Sequence, residues 1–175
     1  VFISILIGLY IVEGYLIIQN DTDRITKQDR KINSVIYKSK TGKDYDKRTK
    51  FEIYQDLKRE DPNIVIAIYP AAFKDDKSIG YAPLSGLSNR KTILCNESGY
   101  YAIYQSDRYG FNNPDEEWDK NEIEFFLVGD SFTHGSCVNE PDTISGNLRK
   151  LNNNRNGVLN LGQQGNESLI EYATL

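Results

Sequence analysis

The alternation of strand-like and helix-like segments between residues 122 and 175 most constrains the fold. The stretch EIEFFLV, residues 122–128, is the kind of apolar run found in strands that are buried on both faces. An amphipathic helical pattern follows over residues 141–151, then a second apolar run, GVLNLG, over 157–162, and a second helical pattern over 167–175. Strand, helix, strand and helix in this order predict a parallel α/β sheet.

Both predicted strands end in glycine-rich polar turns. The first ends in Gly129-Asp130-Ser131, and the second in a turn that runs from Gly162 to Asn166. Ligands of open parallel sheets bind outside the carboxyl ends of the strands, so we expect these turns to converge at one edge. Ser131 then has two interpretations: a nucleophile beside backbone N–H groups that stabilise an oxyanion, or a helix cap. The surrounding sequence is not the G-x-S-x-G motif of the nucleophile elbow.

Three segments of the chain resemble motifs of the SGNH (GDSL-like) hydrolase family and lie in the order that the family has. FLVGDSFTHG, residues 126–135, resembles the first motif of the family, and VLNLGQQGN, residues 158–166, resembles the second. CNESGYYAIYQSDRYGFNNPDEEW, residues 95–118, looks like the lead-in of membrane-anchored bacterial members. The resemblance covers residues 92–175.

The resemblance implies a three-layer α/β/α domain with a flavodoxin-like parallel sheet, here incomplete, and esterase, lipase or O-acyltransferase chemistry. Ser131 falls on the nucleophile of the family. The backbone N–H groups of Ser131 and Gly165 fall on oxyanion-hole donors. Asp130, together with Gly129, falls on the part of the motif that shapes the turn.

The sequence departs from the family pattern in lacking a general base. The third motif, with its oxyanion-hole Asn, and the Asp-x-x-His motif would both lie beyond Leu175, and Asn166 is not that Asn. Serine needs a base to lose its proton at neutral pH. The only histidine, His134, lies three residues after Ser131 and is interpreted as a pocket-lining or surface residue rather than as the base. We therefore expect the 175-residue chain to be inactive and the complete protein to be active.

The N-terminal residues 1–18 are apolar except for Ser4 and Glu13 and predict a transmembrane helix. A signal-peptide core and a buried globular helix are the alternatives. Residues 19–120 are interpreted as a charged lead-in of mixed helical and β character, and residues 121–175 as the first part of the SGNH-like domain. The sequence contains no Met, so we expect a piece of a longer protein. With the anchor, these features predict a single-pass membrane protein of the bacterial cell envelope whose soluble domain is extracytoplasmic.

The two cysteines and the charge limit the chemistry further. Cys95 and Cys137 are the only cysteines, and their spacing fits no metal motif, so they form either a disulfide or two free thiols. No phosphate loop or dinucleotide fingerprint is present, which predicts no metal and no cofactor. The formal net charge of -4 argues against nucleic-acid binding.

These features support an ordered set of functional hypotheses. The leading hypothesis is a serine ester hydrolase that acts on acyl groups of a small molecule or of a glycan or lipid of the cell envelope. An O-acyltransferase would share the nucleophile and the oxyanion hole and differ only in the acceptor. The further alternatives are a non-catalytic SGNH-like carbohydrate-binding module and a flavodoxin-like domain in which Ser131 only caps a helix. The oligomeric state stays undetermined.

Overall fold

The computed structural model describes residues 2–73 and 83–175, except for the side chains of residues 2, 3, 17–30 and 71. Residues 74–82 of the predicted lead-in therefore lie outside the described part. The chain divides into two compact units, Val1–Tyr45 and Asp46–Leu175. This division falls at a different place from the boundaries after residues 18 and 120 that the sequence suggested.

The first unit is built on one long helix, α1, from Phe2 to Thr41. A bilayer core of about 30 Å needs about 20 apolar residues. In the described part of the chain, no helix is apolar over a length that would cross a bilayer. The predicted single-pass anchor at residues 1–18, and the membrane localisation that depended on it, are thus contradicted.

The second unit begins with helix α2, from Lys50 to Glu60. Thr49 caps this helix: its side chain accepts a hydrogen bond from the backbone N–H of Glu52, and the Glu52 carboxylate accepts one from the N–H of Thr49. This reciprocal pair satisfies two donors that the first turn would otherwise leave open. The apolar side of α2 packs through Ile53 against Ile64 and Ile93, which form one of the buried clusters.

Two small sheets follow. In the first, β1 (Val65–Ile66) pairs in parallel with β2 (Lys91–Ile93), which pairs antiparallel with β3 (Ile103–Gln105). In the second, β4 (Ile123–Leu127) pairs in parallel with β5 (Gly157–Asn160). The remaining helices are α3 (Ser131–His134), α4 (Ile144–Leu151) and α5 (Ser168–Thr174), with 3₁₀ turns at Pro70–Phe73, Asp115–Asp119 and Glu140–Asp142.

The predicted α/β class is confirmed at the level of a mixed structure with small parallel and mixed sheets and helices. The second sheet has the order of elements expected from the alternating pattern, because α3 and α4 lie between its two parallel strands and α5 follows them. Its register pairs Phe126 with Leu159, and Leu159 packs with Phe111 and Leu161 in a buried cluster.

Side chains, rather than a further strand, occupy the outer edge of β5. The Asn113 amide oxygen accepts a hydrogen bond from the backbone N–H of Asn160 at 2.8 Å, and its nitrogen donates to the Asn160 carbonyl at 3.0 Å. Two residues earlier, the N–H of Val158 donates to the Glu117 carboxylate, and the Val158 carbonyl accepts from Arg149. Unpaired strand edges invite pairing with other chains, so this cover protects the edge.

The same side chains form a buried polar network. Asp107 accepts hydrogen bonds from the backbone of Tyr109 and Phe111 and from the side chains of Asn113 and Trp118. Arg149 lies between two carboxylates, bonded to Glu140 and 3.6 Å from Glu117. Asp107 is fully buried and Arg149 is only 4% exposed, so each charge is desolvated and depends on its partners.

A disulfide joins the two sheet regions. Cys95 follows β2 and Cys137 follows α3, and their sulfur atoms are bonded at 2.02 Å. Of the two states that the sequence left open for these cysteines, the structure has the disulfide. It closes a loop of 42 residues, which restricts the unfolded chain and so favours the folded state.

We predict that replacing both cysteines by serine lowers the free energy of unfolding by about 3–4 kcal/mol, because the unfolded chain regains the entropy of a loop of this length. Urea unfolding of the Cys95→Ser/Cys137→Ser variant and of the oxidised parent measures the difference. Reduced parent protein is the matched control and should resemble the variant. Equal stability of oxidised parent and variant would contradict the prediction.

We also predict that Asn113→Ala lowers the free energy of unfolding by about 3 kcal/mol. The buried backbone of Asn160 loses its side-chain partner, and Asp107 and Arg149 each lose one hydrogen bond. Asn121→Ala, at an exposed position, is the control and should change stability by about 0.5 kcal/mol or less. Urea unfolding compares the two variants. A loss at Asn113 no larger than that at Asn121 would show that the network does not stabilise the fold.

Candidate functional site

Ser131 is the first residue of α3, four positions after Leu127 at the end of β4. Asp130 is the N-cap of α3: its carboxylate accepts a hydrogen bond from the N–H of Phe132 at 3.1 Å, and its carbonyl accepts from the N–H of His134. The cap is therefore Asp130 and not Ser131, which leaves the serine hydroxyl free of that role. Ser131 is partly exposed, and its Oγ has no hydrogen-bond partner among the described residues.

Gly129 lies just after the end of β4, where the chain passes close to Thr133 of α3. A Cβ at this position would lie 2.3 Å from Thr133 Oγ1, a distance that no side chain tolerates. Glycine therefore lets the chain turn sharply from strand into helix. Together with the Asp130 cap, this close approach determines where the backbone of Ser131 lies.

The turn after β5 contacts the turn after β4. The N–H of Gln163 donates to the carbonyl of Gly129 at 3.2 Å, and Ser136 Oγ donates to Gln164 Oε1 at 3.2 Å. A Cβ on Gly162 would come within 2.6 Å of the backbone nitrogen of His134. The structure thus brings the two glycine turns together at the carboxyl edge of the second sheet.

Two backbone N–H groups in these turns are available to a ligand. Within the described residues, neither the N–H of Ser131 nor that of Gly165 donates a hydrogen bond. Gly165 is exposed and has a φ of 81°, a left-handed conformation that favours glycine. Fixed donors of this kind are what an oxyanion hole requires.

His134 is a core residue. Its side chain is fully buried, its ring packs edge to face on Tyr104 with 5.6 Å between centroids, and neither ring nitrogen has a partner among the described residues. Burial lowers the pKa of His134 to about 4, because the apolar surroundings disfavour the imidazolium. The residue is therefore neutral at pH 7, and it makes no hydrogen bond to Ser131. Its burial contradicts the interpretation of His134 as a surface residue.

Asn160 is a structural residue of the site that the sequence interpretation missed. It is fully buried; its side-chain nitrogen donates to the carbonyl of Thr133 at 2.8 Å and its oxygen accepts from the N–H of Gly162 at 3.0 Å. One amide thus connects α3 to the turn after β5. An Asn inside the apolar run VLNL was the available signal, because a buried polar side chain needs partners.

No residues in the described part of the chain form a cluster of three or more His, Cys, Asp or Glu side chains suited to a metal ion. Comparisons with protein-family models, with curated proteins and with solved structures find no match to this chain. The resemblance to the SGNH hydrolases therefore depends on the motifs themselves and stays a prediction.

We predict that burial of neutral His134 makes the protein less stable as the pH decreases below about 6.5. The folded pKa of about 4 lies below the ordinary value of 6.5, so the unfolded chain binds the proton first. The stability contributed by neutral His134 is complete above pH 6.5 and is lost as the pH falls towards 4. Between pH 7.5 and pH 5 the loss amounts to about 2 kcal/mol.

Urea unfolding of the parent and of His134→Gln at pH 7.5 and at pH 5 measures this loss of stability. Other groups titrate equally in the two proteins, so the loss between pH 7.5 and pH 5 should be about 2 kcal/mol smaller in the variant. The same loss in both proteins would mean that His134 is already solvated in the folded state.

Proposed function

We propose that this chain carries the nucleophile of a serine ester hydrolase of the SGNH class, with Ser131 attacking ester-linked acyl groups. The observation that carries the proposal is the state of the Ser131 hydroxyl: partly exposed, without a partner among the described residues, and relieved of capping by Asp130. It lies where two parallel strands end, which is where ligands of such sheets bind.

In the proposed reaction Ser131 Oγ forms a bond to the carbonyl carbon of the ester while its proton passes to a general base. The carbonyl oxygen becomes an oxyanion, which the N–H groups of Ser131 and Gly165 would stabilise. Collapse of this intermediate breaks the bond to the alcohol, which leaves with the proton from the base. Water then attacks the acyl-enzyme by the same route and releases the acid and free Ser131.

No residue in the described part of the chain bonds to Ser131 Oγ as a general base. His134 is the only histidine, and it is buried, neutral at pH 7 and not bonded to Ser131 within the described part of the chain. The resemblance supplies a candidate, the Asp-x-x-His motif that the family carries beyond its third strand. The resemblance to the family thus predicts that an Asp-x-x-His motif of the complete protein supplies the base.

The finer fold belongs to the same proposal: a flavodoxin-like parallel sheet with helices on both faces. Its support is the parallel pair β4 and β5 with α3 and α4 between them. Since side chains cover the outer edge of β5, further strands would add next to β4, with which no other described strand pairs.

A non-catalytic SGNH-like binding module is the second candidate. The observation that favours it is the lack of any base bonded to Ser131 among the described residues, together with the burial of His134. In that case the hydroxyl and the free N–H groups would hold a ligand without breaking a bond. The two candidates differ in whether Ser131 becomes acylated.

We predict that a longer chain, including the sequence that follows Leu175 in its gene, hydrolyses p-nitrophenyl acetate and reacts with a fluorophosphonate at one serine. Ser131→Ala should lower turnover at least about 10³-fold and abolish labelling, because the nucleophile is lost. The 175-residue chain should show no turnover that depends on Ser131.

Ser136→Ala is the matched control, since Ser136 lies in the same turn region and bonds to Gln164. It should keep its labelling and most of its activity. If the longer chain binds p-nitrophenyl acetate but Ser131 is not labelled by the fluorophosphonate, the result would favour the binding module. Equal turnover in the longer chain with and without Ser131 would overturn the proposed nucleophile.

A further inference from the structure

An apolar cavity of about 360 Å³ lies against one face of the second sheet. Small-molecule sites typically occupy about 300–1,000 Å³ and are walled mainly by hydrophobic and aromatic side chains. Phe126 and Leu161 contribute from the sheet, and the segment before β4 contributes three aromatic rings. The main wall residues are Leu84, Tyr109, Phe111, Trp118, Phe126 and Leu161.

The aromatic wall is held in place from behind. The rings of Tyr109 and Trp118 pack edge to face with 4.6 Å between centroids, and Trp118 Nε1 donates to the buried carboxylate of Asp107 at 2.8 Å. Phe111 belongs to the buried cluster with Leu159 and Leu161. The wall is therefore built before any ligand arrives, which reduces the entropy lost on binding.

Three polar side-chain groups at the cavity form hydrogen bonds within the protein. Besides the indole N–H of Trp118, Ser85 Oγ donates to the carbonyl of Tyr109 and Thr174 Oγ1 donates to the carbonyl of Ile170. A sugar or a charged group in this cavity would lose its hydration without gaining these donors. A hydrocarbon chain loses nothing and removes apolar surface from water, since Phe126 and Tyr109 are 55% and 53% exposed.

The cavity lies close to the edge that bears Ser131. Phe126 is in β4, which leads to Ser131, and Leu161 directly precedes Gly162 in the neighbouring turn. At about 3.3 Å per residue, the strand places Phe126 no more than about 16 Å from Ser131. A hydrocarbon chain attached to an ester at Ser131 would therefore extend over at most about 16 Å to reach Phe126.

We propose that this cavity binds the hydrocarbon chain of an acyl ester, so that the substrate class is an ester with a medium-length aliphatic acyl group. The assignment to an ester rests on the proposed function, whereas the binding of a hydrocarbon chain rests on the cavity alone. The two statements are therefore tested by separate measurements.

Trp118 is the only tryptophan of the chain, so its fluorescence reports on the cavity directly. We predict that the neutral probe bromooctanol, whose bromine quenches indole emission, quenches Trp118 in the 175-residue chain with a saturable dependence on concentration. Octanol without bromine should compete and restore the emission. Linear quenching without saturation, or no competition by octanol, would overturn the proposal.

Phe126→Ser should weaken the binding of bromooctanol about tenfold, because a ring of the wall is lost. Phe125→Ser is the matched control: Phe125 is the adjacent residue of β4, pairs with Val158 instead of Leu159, and points to the other face. Its Kd should stay within about twofold of the parent value. If both variants bind bromooctanol equally weakly, the weaker binding would come from a general loosening of the fold, and the proposal would be overturned.

Two further variants keep the test decisive. Leu84→Ser removes a wall residue outside the sheet and should also weaken binding if Phe126→Ser does not fold. Ser131→Ala should leave the quenching unchanged. Saturable quenching by bromooctanol without Ser131-dependent hydrolysis in the longer chain would support the cavity and overturn the proposed function. Ser131-dependent hydrolysis without saturable quenching would support the proposed function and overturn the proposed binding in the cavity.

Discussion

The side chain of Asn113 is the contact on which the rest of the second unit depends. Its amide pairs with the backbone of Asn160 as a neighbouring strand would, and it also bonds to Asp107 and Arg149. One side chain thus bonds to a strand edge, to a buried acid and to a buried base. Because unpaired polar groups are costly away from water, these partners hold the segment before β4 against β5 and α4.

This covered edge determines how the candidate site is built. With β5 held from outside, Asn160 can use its own side chain to connect α3 to the turn at Gly162. The two glycine turns then lie together, and Asp130 takes the capping role that Ser131 would otherwise have. The exposed hydroxyl of Ser131 therefore follows from the packing below it. The aromatic cavity has the same origin, since Asp107 also holds the indole of Trp118.

Much of the local structure could be predicted from the sequence because its signals are local. The apolar run at residues 122–128 and the run at 157–162 each contain a strand, and the helical spacing around Leu148 is that of α4. The helix at the N-terminus was also visible, but its membrane assignment was contradicted. No helix in the described part of the chain, α1 included, is long and apolar enough to cross a bilayer.

The sequence by itself determined the order of strands and helices, the glycine turns and the position of Ser131 between them, because propensity, periodicity and turn chemistry depend on neighbouring residues. It left open whether Cys95 pairs with Cys137, and it did not show that His134 is buried or that Asn113 covers β5. Those outcomes depend on contacts between residues that are far apart in the chain. Asn113 and Asn160, for example, are separated by 47 positions. Only the tertiary structure decides them, since a buried polar group has no partner until the fold brings one to it.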